Sequence, residues 1–306
     1  MVLARVCRVA LRGYATKAAK VDIAALKRLR QLNPVSMSRA KEALISSEND
    51  VERALTWLER DALAAGAQKA AKVKDRVAAE GAVAVYVNDA QTAATMVELG
   101  CETDFVARNA TFVELASRIA RVGAAFAGSS DSVVANIGVD ALAARALGAH
   151  SVSDAVTEAI GRLGENVVLR RVATAGGPGV VVGAYVHGGS GAAGRIGALV
   201  ALHSDGENST LTQLARQLAQ HVVGFAPRYA THAEWERAGG SGDTSAVLES
   251  QVFVFGGGTV GEVLQKASQA TGAPVHVAGF IRFVRGEGVV KPARPSFADE
   301  VRQQLA

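Results

Sequence analysis

Cysteine is scarce in this chain: two residues, Cys7 and Cys101, occur among 306. If the first fourteen residues are removed, as the charge pattern below indicates, one thiol remains and no internal disulfide can form. The sequence therefore predicts a protein that works in a reducing compartment.

Aromatic residues and long apolar runs are also few. Aromatic residues make up 5% of the chain and no long block of like charge is present, which argues against a stacking platform for single-stranded nucleic acid. The longest uncharged stretch, residues 172–194, contains eight glycines among its 23 residues, so it fits loops and strands rather than a membrane-spanning helix. We expect neither direct nucleic-acid binding nor a membrane partner.

The positive charge of the chain is concentrated at its N-terminus. Overall, 33 basic residues stand against 29 acidic ones, but residues 1–14 hold Arg5, Arg8 and Arg12 without any acid. The other 292 residues therefore carry 30 basic and 29 acidic side chains, a net charge of +1. On a helical wheel the three arginines lie apart from three valines, a basic amphipathic pattern typical of mitochondrial import. The sequence after Arg12 resembles a matrix-protease site and predicts a mature start near Ala15; the alternative is a disordered basic tail.

The first part of the remaining chain has helical periodicity. Three short amphipathic helices are predicted within residues 22–66, which together make a small domain. Ser36 is the expected N-cap of the second helix, and Asn49 with Glu52 predicts a capping box for the third. A Lys-rich helical connector is expected over residues 68–80.

Beyond Gly81 the apolar period changes from 3.6 towards 2. Alternating valines, turn residues and a second apolar run predict a β-hairpin, and a helix around Phe112 follows. The same pattern recurs 99 residues later, with the matching pairs Val83 and Val182, Tyr86 and Tyr185, Val87 and Val186, Leu115 and Leu214, Ala116 and Ala215, Ala120 and Ala219, and Phe126 and Phe225. We interpret the repeat as two duplicated units of an α+β fold, with two antiparallel sheets and helices packed on one face. The alternative is a chance similarity between two amphipathic segments.

The last third of the chain is predicted as a mixture of short elements. Residues 231–250 are rich in Gly, Ser, Ala and Thr and indicate a flexible connection. We predict a strand over Gln251–Phe255, a helix over Val260–Ser268, a strand over Val275–Val284 and a closing helix over Phe297–Leu305.

Two glycine patterns match the G-x-G-x-x-G fingerprint of dinucleotide-binding proteins. The first, at residues 189–194, precedes a strand-like segment, so the helix N-terminus that would hold a pyrophosphate is missing. The second, at residues 256–261, lies between a predicted strand and a predicted helix. However, the ribose-binding acid expected about 20 residues further on is missing, and Glu287 comes too late. We interpret these glycines as a turn with a helix start at Thr259. A Rossmann-type oxidoreductase stays open as an alternative.

Other catalytic and metal-binding motifs are missing from the sequence. The six histidines are scattered, and none has a His or Cys partner at a metal-ligand spacing. No nucleophile elbow, P-loop or protein-kinase motif is present either. We expect a protein that is not an enzyme and has no cofactor and no metal ion of its own.

One short segment is unusual in its composition. Residues 101–109 read Cys-Glu-Thr-Asp-Phe-Val-Ala-Arg-Asn, which places a bulky aromatic between an aspartate and a valine in the loop after a strand. One interpretation is structural: Thr103 or Asp104 caps the following helix, and Phe105 packs into the core as a hydrophobic staple. The other is that the loop is functional.

The sequence from Thr103 to Asn109 resembles the signature of the elongation factor Ts family, the guanine-nucleotide exchange factors of elongation factor Tu. Further segments resemble the same family, in the family's order, so that the resemblance extends from about residue 22 to 302. These segments are Leu29-Arg30, Met37, Lys41–Leu44, Gly164–Asn166, Arg170–Ala173, Tyr185–Gly188, Arg195–Gly197, His221-Val222, Thr259–Gly261 and Gly279–Phe283. Collinear motifs over nearly the whole chain make the resemblance specific.

The resemblance implies a definite organisation of the chain. Members of the family have a three-helix, ubiquitin-associated-like N-terminal domain, a core of two related subdomains and a short C-terminal module. The boundaries expected here are a transit peptide at 1–14, the three-helix domain at 20–66, a helical connector at 67–80, the core subdomains at 81–163 and 164–291, and the C-terminal module at 292–306. A ubiquitin-associated-domain adaptor, based on the three-helix domain alone, is a further alternative.

The resemblance also implies a function for the unusual loop. Asp104 and Phe105, flanked by Thr103 and Val106, match the residues that enter the nucleotide domain of elongation factor Tu. There they are expected to displace helices that hold a magnesium ion, which weakens the binding of GDP. The implied partner is mitochondrial elongation factor Tu, in its GDP-bound and nucleotide-free forms, and the implied location is the mitochondrial matrix.

Three other residues match partner contacts of the family. Arg30 and Met37 match contacts of the N-terminal domain with the partner's nucleotide domain, and His187 matches a core histidine near the inserted pair. Ser38 stands where the family commonly has a second methionine, which implies a weaker N-terminal contact.

Two segments depart from the family pattern in length. Residues 189–194 are inserted into a hairpin beside the expected interface. Residues 231–250 are far too few for the helical coiled-coil hairpin of bacterial members, and this feature resembles mitochondrial members.

Overall fold

The computed structural model describes residues 21–33, 35–130, 132–189, 191–204 and 211–290. The predicted import segment at 1–14 and the predicted closing helix Phe297–Leu305 lie outside the described residues. The chain divides into two units, residues 1–64 and 65–306. The observed architecture consists of helices and antiparallel sheets. The predicted α+β class is therefore confirmed.

The first unit contains the three predicted helices. They are α1 (Ile23–Leu32), α2 (Met37–Ser46) and α3 (Val51–Val73), the last of which continues beyond the unit boundary. Their apolar stripes meet in a small core that includes Leu29, Leu44 and Leu58. The N-cap prediction for α2 is confirmed, because the Ser36 hydroxyl accepts a hydrogen bond from the backbone N–H of Arg39.

The start of α3 differs from the predicted capping box. Asn49 has a left-handed backbone, with φ of +66°, and its side chain accepts a hydrogen bond from the N–H of Asp22 instead of capping the helix. The next residue takes the cap: the carboxylate of Asp50 accepts from the N–H of Arg53 at 2.9 Å. Asparagine tolerates the left-handed region better than most residues, which moves the start of the helix by one position. At its other end α3 stops at Val73, so only the first part of the predicted connector is helical.

The first half of the second unit forms a sheet covered by helices. Its elements are β1 (Glu80–Val87), β2 (Ala93–Cys101), α4 (Asp104–Ala107), α5 (Ala110–Gly123), β3 (Val134–Ile137), α6 (Val139–Ala143), β4 (Ala146–Leu147), β5 (His150–Ser151), α7 (Val152–Leu163) and β6 (Val168–Gly176). The predicted hairpin is β1 and β2, which pair in antiparallel fashion from Glu80 to Val87. The strand β6 lies beyond the expected subdomain boundary at residue 163, yet it pairs with β2, so the first sheet extends further along the chain than the sequence indicated.

The second half repeats the arrangement of a hairpin followed by a helix. Its elements are β7 (Val180–His187), β8 (Ala193–Gly194), β9 (Ile196–Ser204), α8 (Leu211–Phe225), α9 (His232–Arg237), α10 (Val260–Thr271) and β10 (Val275–Val284). The second sheet has the strand order β10-β9-β7, and the short β8 joins the first sheet, whose order is β3-β6-β2-β1-β8.

The two sheets pack face to face, with helices on their outer faces. Val83 and its repeat partner Val182 lie in one apolar cluster between the sheets, whereas Leu115 and Leu214 lie in the two separate clusters beneath the helices. A Cβ atom at Gly197 would lie 2.7 Å from a methyl carbon of Val83, so glycine is required for the sheets to approach this closely. The predicted duplication is therefore confirmed as a repeated architecture.

Two predictions for the last third of the chain need revision. Gln251–Phe255 is not a strand: its valines alternate with phenylalanines, but only an isolated bridge between Val252 and Thr259 forms. Three glycines with positive φ, at 256–258, turn the chain back before a strand partner is reached. The segment 231–250, expected as a flexible connection, contains the helix α9 and a short 3-10 helix at Leu248–Ser250.

A buried carboxylate ties the first sheet to the end of the second. Glu98 of β2 is 1% exposed and accepts hydrogen bonds from Arg170, from Arg171 and from the backbone N–H of Gly286. β6 has a β-bulge at this point, where it contains one more residue than the paired part of β2. The two consecutive arginines of β6 can therefore both reach the carboxylate of Glu98. The charge of Glu98 is thereby compensated inside the protein.

Candidate functional site

The unusual loop forms a single helical turn between β2 and α5. Thr103 is in an extended conformation and its hydroxyl accepts a hydrogen bond from the N–H of Val106, which starts α4. The turn ends at Arg108, and Asn109 then caps α5 by accepting from the N–H of Thr111 at 2.9 Å. The capping role predicted for Thr103 therefore applies to α4, and the helix of Phe112 has a cap of its own.

Phe105 points away from the protein. Its side chain is 83% exposed, while Ala107 in the same turn is buried and Val106 packs partly against the core under α5. The interpretation of Phe105 as a core staple is therefore wrong. An isolated phenylalanine with most of its surface in water, on a turn anchored by its neighbours, is the arrangement expected of a residue that a partner covers.

Asp104 lies beside Phe105 at the surface. Its carboxylate forms an ion pair with Arg108 one turn later, at 3.0 Å, and the two side chains are 43% and 81% exposed, respectively. Exposed pairs of this kind contribute little free energy, because water screens both charges. Asp104 can therefore exchange Arg108 for a group of a binding partner at small cost.

Two glutamates anchor the exposed turn to the rest of the protein, because the carboxylate of each accepts hydrogen bonds from the segment that contains the other. The carboxylate of Glu165, which follows α7, accepts hydrogen bonds from the N–H groups of Glu102 and Thr103 and from the Thr103 hydroxyl. In return, the carboxylate of Glu102 accepts from the N–H of Asn166 at 2.7 Å. The Asn166 amide also donates to two backbone carbonyl oxygens after α3. These bonds fix the direction in which Phe105 points.

A buried thiol lies directly under the turn. The Sγ of Cys101 donates a hydrogen bond to the carbonyl oxygen of Thr103 at 3.2 Å. Burial, together with the nearby negative charge of Glu165, raises the pKa of the Cys101 thiol to about 12. The thiol is therefore neutral at physiological pH and serves as a small hydrogen-bonded part of the core.

The glycine-rich segment expected beside the interface adjoins this turn. A cavity of about 430 Å³ lies between α4 and the hairpin that joins β7 to β9; its lining includes Ala107 and Arg108 on one side, Gly188, Gly189, Gly194 and Arg195 on the other, and Arg285. We call it the cationic cavity. His187 is exposed and immediately precedes this hairpin, with its Nδ1 3.5 Å from the Tyr185 hydroxyl.

Arg30 and Met37, the two predicted contacts of the N-terminal domain, lie on the surface of the first unit. Met37 begins α2 and is 46% exposed, and the Arg30 guanidinium donates weakly to the carbonyl oxygen of Val35 at 3.4 Å. The hydroxyl of Ser38 lies 3.1 Å from that of Ser36. The other predicted site residues belong to the second unit: Thr103 to Val106 share one turn, and His187 lies at the neighbouring hairpin.

The second glycine fingerprint does not form a nucleotide site of the Rossmann kind. The turn at 256–258 leads into α10, but the carboxylate of Glu262 already accepts a hydrogen bond from the N–H of Thr259 at this helix N-terminus, in a capping box. A Cβ atom at Gly258 would lie 1.8 Å from an oxygen of that carboxylate. A second negative group, such as a pyrophosphate, is disfavoured at a position that a carboxylate already occupies. The prediction of a turn with a helix start at Thr259 is confirmed.

Within the described ranges, no three His, Cys, Asp or Glu side chains come together in a way that could hold a metal ion. In the same part of the chain, no helix is both long and apolar enough to cross a membrane.

The contact of Glu165 and Asn166 with the loop was not predicted from the sequence, in which the two residues are part of a segment that resembles the family. They are separated from Glu102 and Thr103 by more than 60 positions. One feature of the sequence pointed to such a contact: Gly164, which ends a helix, is followed directly by a carboxylate and an amide that can hydrogen-bond a distant backbone.

Comparison with known proteins gives a consistent result. The family model described as Elongation factor TS matches residues 102–238. A protein of Maricaulis maris called Elongation factor Ts is 37% identical, covering 92% of this chain and 97% of its own length. Proteins of the same name from Rhodospirillum rubrum and Caulobacter vibrioides are 35% and 34% identical and cover 94% and 92% of this chain and 99% and 97% of their own lengths.

Proposed function

The chain belongs to the elongation factor Ts family of translation elongation factors, and from this membership we propose that it binds elongation factor Tu in its GDP form and promotes the exchange of GDP for GTP. The observation that carries the proposal is the exposed Phe105 on the anchored turn α4. A rigid, exposed aromatic can enter a partner with little loss of conformational freedom.

In the proposed mechanism, Phe105 and Asp104 enter the nucleotide domain of the partner as one unit. Phe105 supplies the apolar area that is buried on insertion, and Asp104 exchanges its ion pair with Arg108 for polar groups of the partner. Because Glu165 holds the turn through its backbone, the inserted pair resists being pushed back. The partner is then the element that moves, and its hold on magnesium and on the GDP phosphates weakens.

Exchange follows from negative coupling between two ligands of one partner. If this protein weakens GDP binding, GDP must weaken the binding of this protein by the same factor, and the same reciprocity holds separately between this protein and GTP. GTP binding can therefore release the factor and complete the cycle. No covalent step is needed, so we propose that the protein acts by binding and is not an enzyme.

The test is the release of a fluorescent GDP from elongation factor Tu, chased with excess GDP, with and without the full chain. We expect acceleration that depends on the concentration of the chain. The matched variants are Phe105→Ala, which removes the inserted aromatic, and Val252→Ala, which truncates another residue that is 72% exposed but lies outside the turn. Absence of acceleration by the wild-type chain would disprove the proposed function.

A separate titration addresses the oxidoreductase alternative. An exchange factor without a cofactor site should unfold at the same temperature with and without NAD, because only ligands that bind the folded state stabilise it. A rise in the unfolding temperature with NAD concentration would favour the alternative.

We further propose that the working protein resides in the mitochondrial matrix and acts on mitochondrial elongation factor Tu. The support is the sequence of residues 1–14, with three arginines and no acid. The full chain should be imported by isolated mitochondria and cleaved near Ala15, whereas a variant with Arg5, Arg8 and Arg12 replaced by Glu should stay outside. Equal import of both proteins would contradict this assignment.

A further inference from the structure

The cationic cavity beside Phe105 has the character of a binding site that the exchange proposal does not yet use. We propose that it receives an acidic side chain of the protein partner, with Arg195 and Arg108 as the groups that bind the carboxylate. The proposal rests on the proposed function and adds a second contact next to the inserted phenylalanine.

The hairpin that carries Arg195 is fastened to the same strand against which α4 packs. Ala193 and Gly194 form β8, which pairs with Ala84 and Val83 of β1, and the N–H of Val85 donates to the carbonyl oxygen of Ala192 at 2.9 Å. The hairpin closes tightly, because a Cβ atom at Gly189 would lie 2.0 Å from the carbonyl oxygen of Ala193. Gly189 and residues 192–194 thus form a fixed wall of the cavity.

Arg195 is positioned through its own backbone. Its N–H donates to the carbonyl oxygen of His187 at 2.8 Å, and its carbonyl oxygen accepts from the N–H of Arg285 at 2.9 Å. The aliphatic part of its side chain lies over Gly188, where a Cβ atom would be 3.2 Å from Cδ of Arg195. The guanidinium group therefore starts from a defined place beside the cavity.

The charges around the cavity leave one arginine uncompensated. Arg285 is 17% exposed and is balanced by Glu80 at 2.8 Å. Among the described residues, the charge partner of Arg108 is Asp104, in a pair at the surface. For the side chain of Arg195, the described part of the chain provides no ion pair or hydrogen bond. Three guanidinium groups thus stand against two carboxylates, which favours an added negative group.

A carboxylate of the partner is the ligand that this geometry favours. Arginine binds carboxylates through paired, charge-assisted hydrogen bonds. The one-turn helix α4 carries both Phe105 and Arg108, so a protein surface that covers Phe105 must also face the rim of the cavity. An acidic residue at that place on the partner would be held between Arg108 and Arg195, and the positive field would speed the encounter.

The experiment measures association with GDP-bound elongation factor Tu by stopped flow, at low and high ionic strength. The variants are Arg195→Glu and Arg195→Ala, and the charge-matched control is Arg237→Glu, an exposed residue of α9 that does not line the cavity. We expect Arg195→Glu to slow association by about tenfold at low salt. Arg195→Ala should slow association less, and the control should associate at the wild-type rate. The difference should shrink at high salt, because ions screen exposed charges beyond about 10 Å at 0.1 M.

A second pair of variants tests the hairpin without changing charge. In Gly189→Ala the new Cβ meets the Ala193 carbonyl oxygen, so the hairpin must open, whereas the Cβ of Gly138→Ala, at a residue outside the hairpin with φ of −59°, meets no atom within 4 Å. We expect the first to slow association as Arg195→Ala does, and the second to retain the wild-type rate.

The outcomes separate the two proposals. If wild-type chain accelerates GDP release but Arg195→Glu associates at the wild-type rate, the cavity proposal is overturned and the exchange function stands. The cavity proposal is also overturned if Arg237→Glu slows association as much as Arg195→Glu does. If the wild-type chain neither binds elongation factor Tu nor accelerates release, both proposals fail.

Discussion

Truncation of Phe105 separates a residue that binds a partner from a residue that holds the fold. A fully buried aromatic side chain covers about 150–250 Å². Because Phe105 is 83% exposed, the protein covers only about a sixth of that area. At about 25 cal/mol per Å², Phe105→Ala should lower the free energy of unfolding by about 1 kcal/mol or less. Phe112 has no exposed surface, and Phe112→Ala should cost about 3–5 kcal/mol.

The effect of Phe105→Ala on GDP release should be large, although its effect on stability is small. If the partner covers the exposed surface of Phe105, the same coefficient gives an upper bound of about 3–5 kcal/mol of binding free energy. Central interface aromatics commonly contribute about 2–4 kcal/mol. Since about 1.4 kcal/mol corresponds to a factor of ten, Phe105→Ala should reduce the efficiency of GDP release by about 30-fold to 1,000-fold.

Two measurements on the same variants test this reasoning. Urea unfolding followed by circular dichroism gives the stability of Phe105→Ala and Phe112→Ala, and stopped-flow fluorescence gives GDP release with the folded variant Phe105→Ala. An unchanged release rate for Phe105→Ala would refute the partner-binding role. A loss of stability equal to that of Phe112→Ala would refute the outward position of the side chain and restore the core-staple interpretation.

Three further predictions concern buried groups. Glu98→Ala leaves two arginines without their shared carboxylate and should lower the free energy of unfolding by about 3–5 kcal/mol, measured by urea unfolding with Glu98→Gln as the milder control. Burial lowers the pKa of His221 in the folded state below its usual 6.5, so the unfolded chain binds more protons in acid. Stability should therefore fall as the pH drops through 6.5, and this fall should be smaller in His221→Gln. In a Cys7→Ser variant, Cys101, with its thiol pKa raised to about 12, should not react with a thiol reagent at pH 8 until urea unfolds the protein.

Much of the fold followed from patterns that span only a few residues. The hairpin of β1 and β2, the bounds of β10 at Val275–Val284, the cap at Ser36 and the helix start at Thr259 were predicted and are present. Apolar periodicity and capping are local, because they depend on residues within one or two turns of helix or within one strand.

The failures occurred where a local pattern had more than one solution. Gln251–Phe255 alternates like a strand, but a strand also needs a neighbour, and the three glycines that follow turn the chain away. Both Asn49 and Asp50 are residue types that commonly cap a helix, so the sequence does not distinguish between them. In the structure the side chain of Asn49 accepts a hydrogen bond from the N–H of Asp22, which leaves Asp50 as the N-cap of α3.

For the candidate site, the composition of the loop, its family resemblance and the residues to test could be read from the amino-acid sequence. Whether Phe105 is buried or exposed could not, because a capped turn with an aromatic at its second position is compatible with both. The outward position follows from a tertiary contact: the carboxylate of Glu165, more than 60 positions away, holds the backbone of Glu102 and Thr103. Likewise, Arg195 and Arg108 are brought to one cavity only because β8 pairs with β1, the strand beneath α4. Contacts between distant parts of the chain depend on the packing of the two sheets, which no local pattern encodes.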